Sequence, residues 1–283
     1  MRLQPGLSSG GFDFPDIPAY EKFALAMSPD GLSVATVGPS NEVRLYTEEA
    51  HEAPSVLGKF DDRICSIEFH PDGQSLLVAG RLSGAVWNLA TRSEMYRIHA
   101  PEGGFWDAAF SPDGQLLGGV ADDGIVRLWD SRSGRELAAV PTETGHFCLS
   151  LTFSPQGDCF AVGGETVTVF QIEGRRACRF EQSTFKGVSG VVFDGIQAAL
   201  YCSGRDGRIW KWMLDEPAAQ VHRLLAYQEG NPVVTRLAPD GRHLAQGYTN
   251  WSNRQAGDFS ISVWPVIAPD TERRLQGPKQ PVR

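Results

Sequence analysis

The sequence predicts an all-β fold, a β-propeller of six four-stranded antiparallel blades. Two periodic markers and one recurrent turn carry the prediction. The apolar residue ahead of each Pro-Asp-Gly-type turn falls at Met27, Phe69, Phe110, Phe153, Phe193 and Leu237, with separations of 42, 41, 43, 40 and 44 residues. The residue closing each unit falls at Tyr46, Leu89, Trp129, Phe170, Trp212 and Trp264, with separations of 43, 40, 41, 42 and 52, the last stretched by an insertion near Asn250. Two markers with one period of about 40–45 residues, each unit holding four short strands, are the signature of a propeller blade.

Unit three shows the elements most plainly. Residues 106–110 form a short apolar run, and Ser111-Pro112-Asp113-Gly114 makes a tight turn. A second run covers 115–120, Asp122-Asp123-Gly124 is a hairpin signal, and 125–129 is a third, β-branched run. The polar turn 131–134 leads to a fourth run over 135–140. Asp-Gly supplies the positive φ angles of a short hairpin, and Pro presets φ in the other turn. Unit one repeats the four runs at 23–27, 32–37, 42–46 and 55–60; unit five repeats them at 188–193, 198–202, 208–212 and 220–225. No stretch sustains a 3.6-residue apolar period, so no long helix is expected. A blade cannot bury both faces alone, and stacking blades around an axis buries them.

With these residues in view, the chain resembles the WD-repeat β-propeller family over roughly residues 20–275. Unit three ends in a Trp129-Asp130 pair. The other units close as Tyr46-Thr47, Leu89-Ala90, Phe170-Gln171, Trp212-Met213 and Trp264-Pro265, and the family's Gly-His pair is clear only at Gly145-His146, at an altered spacing. The degenerate, Ser-Pro-Asp-Gly-rich style is similar to bacterial members. The resemblance implies a buried His–Asp–Ser–Trp hydrogen-bond network that is incomplete in most blades. Trp87 and Trp210 are assigned matching third-strand positions, where units one and three have Arg44 and Arg127.

The 283 residues, 41% of them hydrophobic, suffice for one large all-β domain. The expected organisation is an N-terminal extension over 1–20, the propeller over 21–278 and a tail over 279–283. Residues 272–277 read as the fourth strand of unit six, and 281–283 as the lead-in to another first strand, so the alternative to a closed six-bladed ring is a seven-bladed ring lacking one blade. Phe12, Phe14 and Ile17 are expected to pack on the first or last blade.

The net charge of −8, with Lys and Arg scattered, gives no basic face for nucleic acid and serves solubility. Five cysteines (65, 148, 159, 178 and 202), an odd number without a CxxC, read as free thiols in a reducing compartment, and a cytoplasmic monomer is expected. No metal and no cofactor is expected, since no ligand set clusters at short spacing. Residues 1–20 lack a signal-peptide core, and no run approaches a membrane span, so no membrane contact is expected.

The resemblance implies function on one rim, formed by second-to-third-strand turns and first-strand lead-ins. The turns contribute Asn41, Arg81, Asp123, Arg205 and Asp206; the lead-ins contribute Arg63, Trp106, Phe147, Phe185 and Lys186. Trp and Arg are the types most enriched in interface hot spots, which singles out Trp106, Arg81 and Arg205, with blade-to-blade packing the competing role for Trp106. The insertion 248–258 lengthens a rim loop and adds Tyr248, Trp251 and Arg254, which either meet a partner or fold back over the channel. The expected function is a non-catalytic scaffold for protein partners. The alternative is an enzyme or small-ligand binder with a site in the central channel, where Glu68, Asp107 and Arg236 lie on first strands; solvated channel lining is their competing role.

Overall fold

The computed structural model describes residues 24–47, 54–100, 104–142, 150–173, 176–182, 187–195, 198–204, 208–214, 222–227, 231–237, 243–249 and 259–265. Among them the chain folds into six antiparallel sheets that follow one another in sequence. Blade one is β1 (Leu25–Met27), β2 (Ser33–Gly38), β3 (Glu42–Thr47) and β4 (Ser55–Lys59). Blade two is β5 (Ile64–Phe69), β6 (Ser75–Gly80), β7 (Ser83–Asn88) and β8 (Ser93–His99). Blade three is β9 (Phe105–Phe110), β10 (Leu116–Ala121), β11 (Ile125–Asp130) and β12 (Glu136–Pro141). Blade four is β13 (Ser150–Phe153), β14 (Cys159–Gly163), β15 (Val167–Glu173) and β16 (Arg176–Gln182). Blade five is β17 (Val188–Phe193), β18 (Ala199–Gly204), β19 (Arg208–Met213) and β20 (His222–Tyr227). The sixth sheet has three strands among the described residues, β21 (Asn231–Leu237), β22 (His243–Thr249) and β23 (Phe259–Pro265). The expected fourth strand at 272–277 and the N-terminal Phe12, Phe14 and Ile17 lie outside the described residues. The only helical turn among them is a short 3-10 segment at Pro39–Asn41.

The recurrent turn explains the sequence marker. In Ser-Pro-Asp-Gly the backbone closes from the glycine N–H to the serine carbonyl, at 2.9 Å in Gly31 to Ser28 and 2.8 Å in Gly114 to Ser111. The serine hydroxyl does two jobs. It donates to the turn aspartate, as in Ser111 to Asp113 at 2.6 Å, and accepts the N–H five residues on, as in Leu116 to Ser111 at 2.9 Å. The turn glycines sit in the left-handed region, Gly114 at φ 67° and Gly157 at φ 72°, where a Cβ is strained. At Gly114 a Cβ would also lie 2.5 Å from the His70 ring, because the turns of blades two and three touch there; at Gly157 nothing lies nearer than 3.8 Å.

Each blade has a backward face, toward the blade before it in the chain, and a forward face toward the next. The core lies between the blades. Phe69 and Ile67 of blade two share one buried cluster with Ala35, Val43 and Leu45 of blade one. Phe110 and Ala108 do the same with Leu77, Ala79 and Val86. Phe153 and Leu151 pack with Leu116, Val126 and Leu128, and Phe193 and Val191 with Ala161, Val167 and Val169. Each large apolar side chain buried this way contributes about 1.5–3 kcal/mol. That seam-by-seam burial turns a period in sequence into an array in space.

Pairing register corrects one assignment. Trp129 pairs with Leu117, Tyr46 with Val34, Phe170 with Phe160 and Trp212 with Leu200. The blade-two residue in that place is Trp87, paired with Leu76, and not Leu89. Unit two therefore closes as Trp87-Asn88, and the marker spacings become 41, 42, 41 and 42. Asn88 behaves as Asp130 does: each side-chain oxygen accepts the N–H three residues on, at 2.9 Å from Thr91 and 3.0 Å from Ser133. The β6–β7 turn is one residue shorter than that of blade three, which displaced the sequence alignment. Trp87 is consequently not the counterpart of Trp210, which does share the register of Arg127. The indole N–H groups of Trp87 and Trp212 are buried without a hydrogen-bond partner among the described residues, so those two blades lack the aromatic's polar anchor.

Two measurements test this account. Gly114→Ala is expected to lower stability by clearly more than Gly157→Ala in urea unfolding. Both substitutions place Cβ at positive φ, at a cost of about 1 kcal/mol, and only Gly114→Ala must also displace His70; equal losses would show that the turn-to-turn contact is slack. Trp129, 3% exposed and edge-on to Phe105 at 5.9 Å, is expected to cost about 3–5 kcal/mol on truncation to Ala.

Candidate partner-binding rim

The second-to-third-strand turns and the first-strand lead-ins meet on one rim, as two backbone bonds show. The Arg81 N–H reaches the Arg63 carbonyl at 3.0 Å, and the Asp122 N–H reaches the Gly104 carbonyl at 3.3 Å. Blades two and three meet there. Arg81, in the β6–β7 turn, lays its guanidinium over the Trp106 ring at 4.6 Å from the centroid. Asp122, in the β10–β11 turn, accepts Arg81 Nη2 at 2.8 Å on one carboxylate oxygen and the Trp106 indole N–H on the other. One carboxylate thus fixes both a cation and an aromatic ring, and the cation–π contact adds about 0.5–2 kcal/mol. Gly104, at φ 81°, lets the chain pass so close that a Cβ would lie 2.1 Å from the Arg81 carbonyl oxygen.

The arrangement brings together two of the six residues singled out for partner contact, Trp106 and Arg81. Trp106 is half-buried and also borders the blade three–four core, so the packing role and the rim position coincide in one side chain. Asp122 was legible only as a hairpin residue; its identity as the bridging carboxylate comes from the register of β9 against β10. Its neighbour Asp123 instead accepts Arg127 Nη2 at 2.7 Å within the same hairpin. Leu82, beside Arg81, is 70% exposed. Arg205, Trp251 and Arg254, with Asp206, Phe147, Phe185 and Lys186, lie outside the described residues. Tyr248 is placed by its backbone inside β22, paired with Ser260 and Pro232, rather than in the loop where the insertion had put it. The extra length of unit six extends the hairpin arms before the loop begins.

On the channel side the acidic residues form links between blades. Glu68 Oε2 accepts the Phe110 N–H at 3.2 Å, 42 residues on. Asp107 accepts the Leu151 N–H at 3.0 Å, 44 residues on, and its other oxygen accepts the Ala108 N–H at 3.0 Å. Ser150 Oγ continues the series, accepting the Val191 N–H at 3.3 Å. The first strand of each blade has an edge with no strand beside it, and the preceding blade's side chain supplies the missing partner. Solvated lining therefore understates what these carboxylates do. Removal from water, then the nearby Asp107 charge, push the Glu68 carboxyl up to about 8, with Arg236 acting in the opposite sense. Cys159 is pushed up to about 11, chiefly by burial, and burial also raises the Cys202 thiol. With Cys65, these are free cysteines. Among the described residues no cluster of three or more His, Cys, Asp or Glu is placed to hold a metal, and no helix is long and apolar enough to cross a membrane.

Comparison with known proteins adds the family. Residues 92–130, from the outer strand of blade two to the Trp129-Asp130 pair, match the model of the WD domain, G-beta repeat. This stretch is thus a WD repeat, and the matches support a WD-repeat family for the chain. Proteins similar to this chain include human Coronin-7, 30% identical over 151 residues, covering 50% of this chain and 16% of that protein. They also include the COMPASS component SWD2 of Saccharomyces cerevisiae, 28% identical, covering 54% of this chain and 53% of that one. A guanine nucleotide-binding protein subunit beta from Oryza sativa is 25% identical, covering 71% and 43%. The chain spans about a sixth of the length of Coronin-7.

The raised Glu68 carboxyl gives a pH test. An acid whose folded pKa exceeds the ordinary value binds more protons folded than unfolded, so its contribution is complete below about 4.5 and is lost as pH rises to about 8. Melting temperature is expected to fall across that window in the wild type relative to Glu68→Gln. Parallel pH profiles for the two proteins would show that Glu68 titrates normally.

Proposed function

We propose that this WD-repeat protein is a non-catalytic scaffold that docks a protein partner on the rim around Trp106 and Arg81. One observation carries the reading: the aromatic ring and the guanidinium are held in fixed geometry by Asp122 at a blade seam. Side chains ordered before contact lose little entropy on binding, and Trp and Arg dominate interface energetics. Exposed Leu82 offers an apolar contact beside them. Two relatives carry the words component and subunit in their names, in line with membership of assemblies. Arg205, Tyr248, Trp251 and Arg254 belong to the same proposed surface. A monomer in the cytoplasm, without nucleic-acid or membrane contact, completes the reading; the net charge of −8 and the free thiols support it.

The channel reading has less support, because Glu68 and Asp107 already accept backbone N–H groups. The test is quantitative capture of partners from the source cell by wild type, Trp106→Ala, Arg81→Ala and Trp129→Ala. Trp106→Ala is expected to weaken capture by about 2 kcal/mol, roughly thirtyfold in Kd, with a far smaller melting shift than Trp129→Ala. Undiminished capture, or a melting loss equal to that of Trp129→Ala, would show that the cluster serves packing. A small molecule that raises the melting point of wild type and not of Glu68→Gln would favour the channel.

A further inference from the structure

We propose that the cavity between blades four and five takes a guanidinium group, the side chain of an arginine presented by a partner peptide. The site lies on the rim opposite Trp106 and Arg81, so it is independent of the docking surface proposed there. The β13–β14 and β17–β18 turns bound a space of about 370 Å³, within the range of small-ligand pockets. Buried Val169 and Phe193 give it an apolar floor. Ser154 and Asp194, exposed by 2% and 4%, line its inner wall. It opens to solvent beside Asp158 and Ala198, both exposed. Among the described residues the lining holds two carboxylates, Asp158 and Asp194, and no cationic side chain.

The blade two–three seam shows what this position accommodates. His70 follows Phe69 as Ser154 follows Phe153, and Phe110 holds the register of Phe193. There the chain itself supplies a flat, nitrogen-bearing group. The His70 ring lies edge-on to Phe110 at 4.8 Å between centroids. One ring nitrogen is 2.9 Å from the Gly114 carbonyl oxygen and the other 2.8 Å from an Asp72 carboxylate oxygen. In blade four the same place carries only the Ser154 hydroxyl, which turns to Asp158 at 2.7 Å, and the cavity opens between it and Phe193.

Charge selects the occupant. Asp194 stands where blades one, three and four have Ser28, Ser111 and Ser154. Its carboxylate accepts the Tyr201 hydroxyl at 3.0 Å, with Lys211 Nζ 3.8 Å from the same oxygen, and is thereby fixed on the blade-five wall. Asp158 stands on the blade-four wall. A guanidinium uses both features of the site: its face packs on the Phe193 ring and its fork of N–H donors meets carboxylates. An ammonium carries the charge without the face, and a urea carries the face without the charge. Because the mouth lies at the rim, the group enters on a side chain from outside.

The experiment uses the full chain and, as the probe, the capped peptide Gly-Arg-Gly. Alkylation of Cys159, which lines the cavity, is followed by peptide mapping, with Cys65 as the reference thiol. Saturating peptide is expected to slow alkylation of Cys159 by about tenfold or more and to leave Cys65 unchanged. The citrulline counterpart, of the same shape without the charge, is expected to bind about tenfold or more weaker. Ser154→His, which copies blade two, is expected to abolish the peptide's effect without lowering the melting temperature. Asp194→Asn, which can still accept the Tyr201 hydroxyl, and Asp158→Asn are each expected to weaken it by about tenfold; Trp106→Ala is expected to leave it intact. No slowing at Cys159, equal potency of the citrulline peptide, or slowing that survives Ser154→His overturns the proposal. Should Ser154→His fail to fold, undiminished slowing in the two aspartate variants overturns it. Protection by methylguanidinium and not by the peptide assigns the cavity to a free small cation, and it overturns a partner's arginine.

Discussion

Everything in this molecule depends on the fact that no blade can bury its own faces. Each sheet is apolar on both sides, and its neighbours are the only solvent-free surfaces available. The row Phe69, Phe110, Phe153 and Phe193 meets the row Leu45, Val86, Leu128 and Val169, one seam after another. The closing aromatics, the tight turns and the paired rims all serve to hold those rows in register. Stability is distributed over nearest-neighbour contacts, so a local change is felt first by the two blades it joins.

The blade two–three seam shows how the rims reinforce this packing. On one rim Asp122 ties Arg81 to Trp106. On the other the His70 ring meets the Gly114 carbonyl at 2.9 Å, and Tyr96 donates its hydroxyl to the Ser131 carbonyl. Both ends of the seam are pinned, and the apolar layer lies between. A rim cluster positioned this way is held in one geometry, which is the physical basis for proposing it as a recognition surface.

The period, the strands and the turn chemistry were legible because each rests on local residues. Ser-Pro-Asp-Gly announces a left-handed glycine and a capping hydroxyl, and β-branched runs announce strands. Placing Leu89 as the closing residue failed because hairpin length varies between blades, and spacing alone cannot tell a shortened turn from a shifted strand. Only the pairing of Leu76 with Trp87 fixes the register. The rim was half legible. Arg81 and Trp106 stood out by residue type, whereas Asp122 depends on which side of a hairpin faces a neighbouring blade. The roles of Glu68 and Asp107 were hidden for the same reason, since their partners lie a whole repeat away.

Those inner-strand links have a consequence for assembly order. Between blades two and three the fitting is a glutamate on a backbone N–H, between three and four an aspartate, between four and five a serine hydroxyl. Between five and six it is a pair of hydroxyls, Ser203 on the second strand β18 and Thr235 on the first strand β21, at 2.7 Å. Apolar faces of similar shape tolerate exchange of neighbours; polar fittings of four different kinds do not, because a mismatched seam leaves a carboxylate or an N–H buried without its counterpart. The channel wall thus acts as a set of keys. Each polar fitting therefore favours the blade that follows it in the chain, and an out-of-order pairing of blades is costly.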